Sequence, residues 1–211
     1  MTQKTKKNIL IIFLKYPEAG KVKTRLAKDV GDDEAARIYS HMALNIIEGA
    51  IDPQSYNTII FYDPPEKEKE IKNWIGKKEV QYLPQIGNTL GDRISNAFKE
   101  VYSNGADKTV IIGTDCLEVT SEIINKAISL LGETQVVLGP AEDGGYYLLA
   151  LNQDRPQIFQ DINWSTEHVL NQTVSKIVEN KLNYQKLKTL KDIDTVDDIN
   201  DQFRDFLQKT Q

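Results

Sequence analysis

The chain has a single cysteine, Cys116. One thiol makes no internal disulfide and does not suggest a Cys-based zinc site, which fits a reducing compartment. A basic excess is also missing: 26 Lys and Arg stand against 31 Asp and Glu, a net charge of -5. That argues against a general nucleic-acid binder. It leaves room for a small phosphate pocket, which needs only a few local cations. Long apolar runs are absent too. The N-terminal run "ILIIFL" is followed directly by Lys15, and no small-residue cleavage site comes after it. This is neither a signal peptide nor the roughly 18 apolar residues of a membrane span. A cytoplasmic protein with a short basic tail and a buried first strand is expected. Internal repeats, low-complexity tracts and linkers are likewise lacking.

What is present reads as globular: 40% hydrophobic and 27% charged residues. A chain of 211 residues is expected to form one domain, 1–211, burying about 70% of its unfolded surface. The pattern alternates strand and helix. Ile9 to Leu14 is a continuous β-branched run, the mark of a strand covered on both faces. From Asp33 to Ala50 apolar residues recur at helical spacing, with Asp32 or Asp33 as the candidate cap. Then come the strand "NTIIFYD", the helix "EKEKEIKNWI", the short strand "EVQYLP" and the helix "TLGDRISNAFKEVYSNG", stopped at Gly105. "KTVIIGTDC" is a buried strand, Thr120 to Leu131 a helix, and "TQVVLGP" and "GGYYLLAL" two further strands. Trp164 to Val178 reads as a helix capped by Ser165 or Thr166, "NYQKLK" as an edge strand and "TVDDINDQFRDFLQKT" as a last helix. Strands separated by helices imply an α/β fold: a mostly parallel sheet with helices on both faces.

In such sheets ligands bind outside the carboxyl ends of the strands. After the first strand, "KYPEAGKVKTRL" gathers Lys15, Lys21, Lys23 and Arg25 beside Gly20 and ahead of a helix. Cations, a flexible loop and a helix start suit a diphosphate; a solvated basic loop is the plainer alternative. It is not a Walker A loop, because Val22 stands where Ser or Thr is needed. After "TVIIG" comes Asp115, a hard oxygen ligand suited to Mg²⁺ or Mn²⁺, or else a cap for the next turn. In "AEDGGYY" Asp143 precedes Gly144 and Gly145, which permit positive φ and close approach of a ligand; a tight hairpin turn has the same signature. Arg93 in "TLGDR" meets a phosphate or an acidic neighbour. Trp164, Ser165, Thr166 and His168 lie together in "NWSTEH", where Trp164 stacks on a ring or joins the core. Cys116 has no His to activate it and is expected to pack. Asp194, Asp197 and Asp198 look like a turn and a helix start that favours negative charge.

"FLKYPEAGKVKTRLA", "GDDEAARIYSHM", "QIGNTLGDRISNAF", "IIGTDC", "LGPAEDGGYYLLAL" and "INWSTEHVL" follow one another in this order. Together they resemble a bacterial group of small nucleotide-diphospho-sugar transferase-like proteins. These are often labelled glycosyltransferases and sometimes associated with arsenosugar biosynthesis. The group is similar in architecture to phospholactate guanylyltransferase and to molybdenum-cofactor nucleotidyltransferases. The resemblance implies the type-A glycosyltransferase fold, a Rossmann-like three-layer sandwich. It implies a nucleotide or nucleotide-sugar substrate, a small-molecule acceptor and Mg²⁺ or Mn²⁺. It places Lys15, Lys23 and Arg25 on the nucleotide and its phosphates, where Gly20 and Arg93 are also expected from their loop and helix-start positions. It places Asp115 on the metal, and Asp143, Gly144, Gly145 and Tyr146 toward the sugar or second phosphoryl group. Trp164, Ser165 and Thr166 belong to a motif of the group and are expected in the sugar or acceptor region.

This sequence departs from that pattern in three places. Asp115-Cys116-Leu117 has one carboxylate where Asp-x-Asp is common, Leu117-Glu118 replaces a Pro, and "KYPEAGKVKTR" stands in place of a Gly-x-Gly loop. Three chemistries stay open on the sequence. The first is metal-dependent glycosyl transfer. The second is nucleotidyl transfer from an NTP with release of pyrophosphate. The third is nucleotide binding without catalysis. Asp143 is open between metal ligand, sugar contact and general base.

Overall fold

The apolar runs become strands because both faces of one sheet are covered. The computed structural model describes residues 7–199. Its elements run β1 (Asn8–Lys15), α1 (Ala27–Val30), α2 (Asp32–Ala50), β2 (Asn57–Asp63), α3 (Glu68–Ile75), β3 (Gln81–Pro84), α4 (Leu90–Ser103), β4 (Lys108–Ile112), α5 (Ser121–Leu130), β5 (Val136–Pro140), β6 (Tyr146–Leu151), α6 (Val169–Glu179) and β7 (Tyr184–Lys186). The seven strands form one sheet in the order β3-β2-β1-β4-β6-β5-β7. β6 pairs antiparallel with β4 and with β5, and the other pairings are parallel. The expected α/β three-layer sandwich is therefore present.

Alternation along the strands splits the core into two layers. Leu10, Ile12 and Leu14 of β1 face α2, α3 and α5, where Ile46, Ile71 and Ile124 are buried. Ile9, Ile11 and Phe13 face α4 and α6, against Phe98 and Ile177. Each fully buried aliphatic side chain of this kind contributes about 1.5–3 kcal/mol.

Because β6 runs antiparallel between β4 and β5, β5 points the same way as β4. The β5–β6 turn therefore lies at the carboxyl edge of the sheet, with the tips of β1, β2 and β4. Four expectations shift. α2 is entered through Gly31 at φ 85 without a side-chain cap; Asp32 and Asp33 lie inside its first turn, where they suit the helix dipole. β3 starts at Gln81 rather than Glu79. α6 begins at Val169, not Trp164, because Ser165 has φ 62 and breaks the helical path. Neither Ser165 nor Thr166 caps it; His168 is its N-cap residue, with no side-chain cap bond. The expected last helix starts as a three-residue 3-10 turn, Val196–Asp198, capped by Thr195; its remainder lies outside the described residues. α4 carries a full capping box between Thr89 and Asp92. Among the described residues no helix is long and apolar enough to cross a membrane.

Candidate functional site: a charged cleft at the carboxyl edge

The tips of β1 and β4 are tied together by a buried tyrosine from α2. The Tyr39 hydroxyl accepts the Lys15 backbone N–H at 2.9 Å and shares a hydrogen bond of 3.0 Å with Thr114 Oγ1. Burial, and then the charge of Asp115, push this phenol up to about 12, so it stays protonated. Tyr39 thus holds the start of the basic loop at a set distance from Asp115.

Asp115 meets Lys23 at 2.5 Å from its Oδ1. Lys23 Nζ also lies 3.1 Å from Asp194 Oδ1, and Arg25 reaches Asp194 Oδ2 at 3.3 Å. The Lys23 side chain is 4% exposed, whereas that of Asp115 is 50% exposed. Burial alone would lower the Lys23 ammonium's proton affinity. Asp115 and Asp194 outweigh it and hold the pKa above the ordinary value. Of the loop cations, Lys15, Lys21 and Arg25 face solvent, and Lys23 is turned inward.

The partner of this lysine comes from a segment that sequence reading took for a turn and helix start. Residues 187–194 run past the tips of β5 and β4 as a strap. Leu187 N–H donates to Leu138 O, Leu190 N–H to Pro140 O, Glu142 N–H to Leu190 O and Ile193 N–H to Asp115 O, at 2.8–3.0 Å. Cys116 Sγ adds a contact of 3.2 Å to Lys191 O; its thiol is buried and pushed up, so it is a packing residue as expected. Asp192 and Asp194 flank the buried Ile193, and both act on Lys23. Asp192 is the residue sequence reasoning missed. Its carboxyl is raised to about 7, first by burial, then by the charges of Asp115 and Asp143, with Lys23 opposing. Asp115 and Asp143 therefore lie within electrostatic reach of Asp192 at the carboxyl edge. The signal was in the sequence: Asp192-Ile193-Asp194 is an Asp-x-Asp pair with an apolar centre, in the last strand's extension rather than after β4.

The Asp143 turn is built for aim. Asp143 Oδ1 accepts the Gly145 N–H at 2.8 Å, and Ala141 N–H donates to Gly145 O at 3.0 Å. Gly144 has φ +89, and a Cβ there would lie 2.1 Å from Glu167 O. Its carbonyl accepts the Leu170 N–H at 2.9 Å. The glycine is thus needed for the turn and for close packing on the 163–168 loop. Gly145 sits over the Asp143 carboxylate. The motif is a tight hairpin turn, and its Asp143 carboxylate is exposed at the carboxyl edge of the sheet.

The other expected site residues have the following surroundings. Arg93 pairs with Asp63 Oδ2 at 3.2 Å, and its Nε donates to Gly87 O at 3.1 Å. It stands at the tip of β2, two strands from Asp115. Gln85 is buried beside it and donates to Leu14 O and Phe61 O, fixing the tips of β1 and β2. Tyr146 packs on the α4/α6 core with its hydroxyl enclosed near Thr173 rather than open to the cleft. Trp164 packs on the same core, against Gly91, where a Cβ would lie 2.3 Å from Trp164 Nε1. Ser165 and Thr166 are exposed; Thr166 Oγ1 donates to Asn163 O at 2.7 Å. Gly20 is exposed with φ 74.

Among the described residues no three His, Cys, Asp or Glu side chains converge tightly enough to hold a metal ion by themselves. The donor chemistry nonetheless fits a hard divalent cation. Asp115 and Asp192 are oxygen donors, and the cleft already seats one cation, the Lys23 ammonium, against Asp115.

The mostly parallel sheet with helices on both faces and a charged cleft at its carboxyl edge defines the nucleotide-diphospho-sugar transferase fold. A crystal structure of a provisionally assigned nucleotide-diphospho-sugar transferase from Desulfovibrio desulfuricans G20 is 33% identical, with 95% of this chain and 88% of that chain covered and a TM-score of 0.88. Residues 47–166 match the family described as "Uncharacterized protein conserved in bacteria (DUF2064)", and the chain belongs to that family. The fold extends to distant structures. CMP:2-keto-3-deoxy-manno-octonic acid synthetase complexed with CTP is 11% identical, with 97% of this chain and 100% of that one covered at a TM-score of 0.59. Glucosyl-3-phosphoglycerate synthase from Mycobacterium tuberculosis, in complex with Mn²⁺, UDP and glucosyl-3-phosphoglycerate, is 8% identical, covering 89% and 71% at a TM-score of 0.55.

Proposed function

We propose that this protein is a nucleotide-utilising transferase, and specifically a metal-dependent glycosyltransferase that moves a sugar from a nucleotide-diphosphate donor to a small-molecule acceptor. The observation that carries this reading is the junction at the tip of β4, where Asp115 and Asp194 meet Lys23 of the basic loop, with Asp192 within electrostatic reach of Asp115 and Asp143. The name of the 33%-identical relative supports the donor class. Asp115 and Asp192 would hold Mg²⁺ or Mn²⁺, which when bound neutralises charge on the donor diphosphate. Lys15 and Arg25, two of the three exposed cations of the loop, take the diphosphate oxygens and stabilise the charge that grows on the leaving nucleoside diphosphate. Asp143, exposed and held by the Gly145 N–H, takes the proton from the acceptor hydroxyl. Trp164 shapes the wall on the acceptor side through its packing on Gly91.

Nucleotidyl transfer is the second reading. One observation favours it: the carboxylates nearest Lys23 come from separate segments rather than from an Asp-x-Asp after β4. The test is a product assay over nucleotide sugars and NTPs with Mn²⁺ and a panel of acceptors. Release of a free nucleoside diphosphate from a sugar nucleotide is expected. Pyrophosphate released from an NTP moves the assignment to nucleotidyl transfer. Nucleotide binding without turnover across the panel removes the enzymatic reading.

A further inference from the structure

Lys23 is set apart from the other cations of its loop by three observations. Its side chain is 4% exposed, while that of Arg25 is 68% exposed. Its φ is 45°, in the left-handed region that a residue with a Cβ rarely adopts. Its ammonium is bound at once by Asp115 from the β4 tip and by Asp194 from the strap. A side chain that only met phosphates would be left in water until a donor arrived. This one is folded back into the acidic cleft, against the carboxylate whose other side is open. Without a cation between them, the half-exposed Asp115 and the partly exposed Asp194 carboxylates would repel each other. The ammonium therefore does for the empty cleft what a divalent ion would do for the loaded one. Both cannot take the same Asp115 oxygen, because two cations at contact distance repel.

We propose that Lys23 is a resident counter-ion of the cleft, which competes with a divalent cation for Asp115 and is released toward the donor diphosphate when that cation binds. This rests on the assignment of Asp115 to the metal made above. It adds a consequence: metal and diphosphate load together, each favouring the other, since the metal frees the lysine and the diphosphate gives it a new partner. By linkage the same factor applies in both directions.

The experiment measures Mn²⁺ binding by electron paramagnetic resonance, with and without a nucleoside diphosphate, for the wild-type chain, Lys23→Met and Lys23→Arg. Lys23→Met is expected to bind Mn²⁺ alone about tenfold more tightly, which corresponds to about 1.4 kcal/mol. It is also expected to lose the enhancement that nucleoside diphosphate gives the wild type, while Lys23→Arg retains it. Unchanged or weaker Mn²⁺ binding by a folded Lys23→Met overturns the proposal. A second measurement needs no variant. Acetylation of Lys23 by a water-soluble amine reagent, followed by peptide mass spectrometry, is expected to be slow in the apo protein and faster once Mn²⁺ is added. A rate indifferent to Mn²⁺ overturns the proposal. Failure of the wild type to bind Mn²⁺ under any condition also overturns it. Nucleoside-diphosphate binding without metal, read by thermal shift in the same samples, then reports separately on the nucleotide reading.

Discussion

The positive and negative sides of the cleft are built in opposite ways. The cations come from one continuous loop, residues 15–25, which follows β1 and carries Lys15, Lys21, Lys23 and Arg25. The carboxylates come from three segments far apart in the chain: Asp115 after β4, Asp143 in the β5–β6 turn, and Asp192 with Asp194 on the strap after β7. The loop is fixed mainly at its ends, by Tyr39 at Lys15 and by the ion pairs of Lys23 and Arg25. The acidic segments are fixed to each other by backbone hydrogen bonds. A local cluster of charge is cheap to encode and loosely held. A cluster assembled from distant segments needs the whole sheet, and in return its geometry is set before a ligand arrives.

The sharpest way to break the acidic side is Asp115→Asn. It is expected to lower turnover by about 10²–10³, or roughly 3–4 kcal/mol of transition-state stabilisation, and to remove Mn²⁺-dependent donor binding while the circular dichroism spectrum stays unchanged. Mn²⁺-dependent affinity equal to wild type would refute the metal role of this residue.

Gly144→Val attacks the scaffold of the same side. A side chain at φ +89 that also meets Glu167 O is expected to cost about 3 kcal/mol. That lowers Tm by about 6–12 °C for a chain of this size. Calorimetry showing a shift of under 2 °C would mean that the turn and the 163–168 loop are not rigidly coupled.

Asp192 sharpens the comparison through pH. Its folded carboxyl titrates near 7, above the ordinary 3.8, so between those values the folded state holds a proton that the unfolded state has lost. Stability is then greatest below about pH 4, falls as pH rises toward 7, and is level above it. In metal-free urea titrations Asp192→Asn should equal the wild type at pH 4. At pH 8 it should exceed the wild type by on the order of 2 kcal/mol. A difference independent of pH would remove the coupling among Asp115, Asp143 and Asp192.

The cationic side should respond most gently. Lys15→Ala with Arg25→Ala removes two exposed side chains and is expected to weaken nucleoside-diphosphate binding about tenfold, or about 1.4 kcal/mol, with nucleoside binding unaffected. Equal loss for both ligands in isothermal titration would remove the phosphate role of the loop.

The two sides also differed in how far they could be read without coordinates. The loop cations were legible because they are neighbours in sequence beside a buried strand. Asp115 and Asp143 were legible because each follows an apolar strand, and the direction of β5, implied by the hairpin, puts them on one edge. Asp192 was not. Its strap pairs with β5 and with the β4 tip through backbone bonds to residues far away in the chain, and no periodicity announces such pairing. Arg93 looked like a phosphate ligand because it stands at a helix start. The acidic neighbour that was the other reading is Asp63, at the end of β2. Trp164 was open between a stacking role and the core, and packing against α4 and α6 gives it the second; Tyr146 packs on the same layer.

The sequence by itself determined the layers: β-branched runs with 3.6-residue periodicity between them have one economical solution, a parallel sheet covered on both faces. It also determined the glycines that make the Asp143 turn possible, because positive φ is a local property. Only the tertiary structure decided which charges neutralise one another. Lys23 is one of four similar cations in sequence. Its burial between Asp115 and Asp194 depends on a strap that follows β7 and reaches the tip of β4 from far along the chain. Electrostatic partnership is set by distance and desolvation, and both are properties of the folded chain.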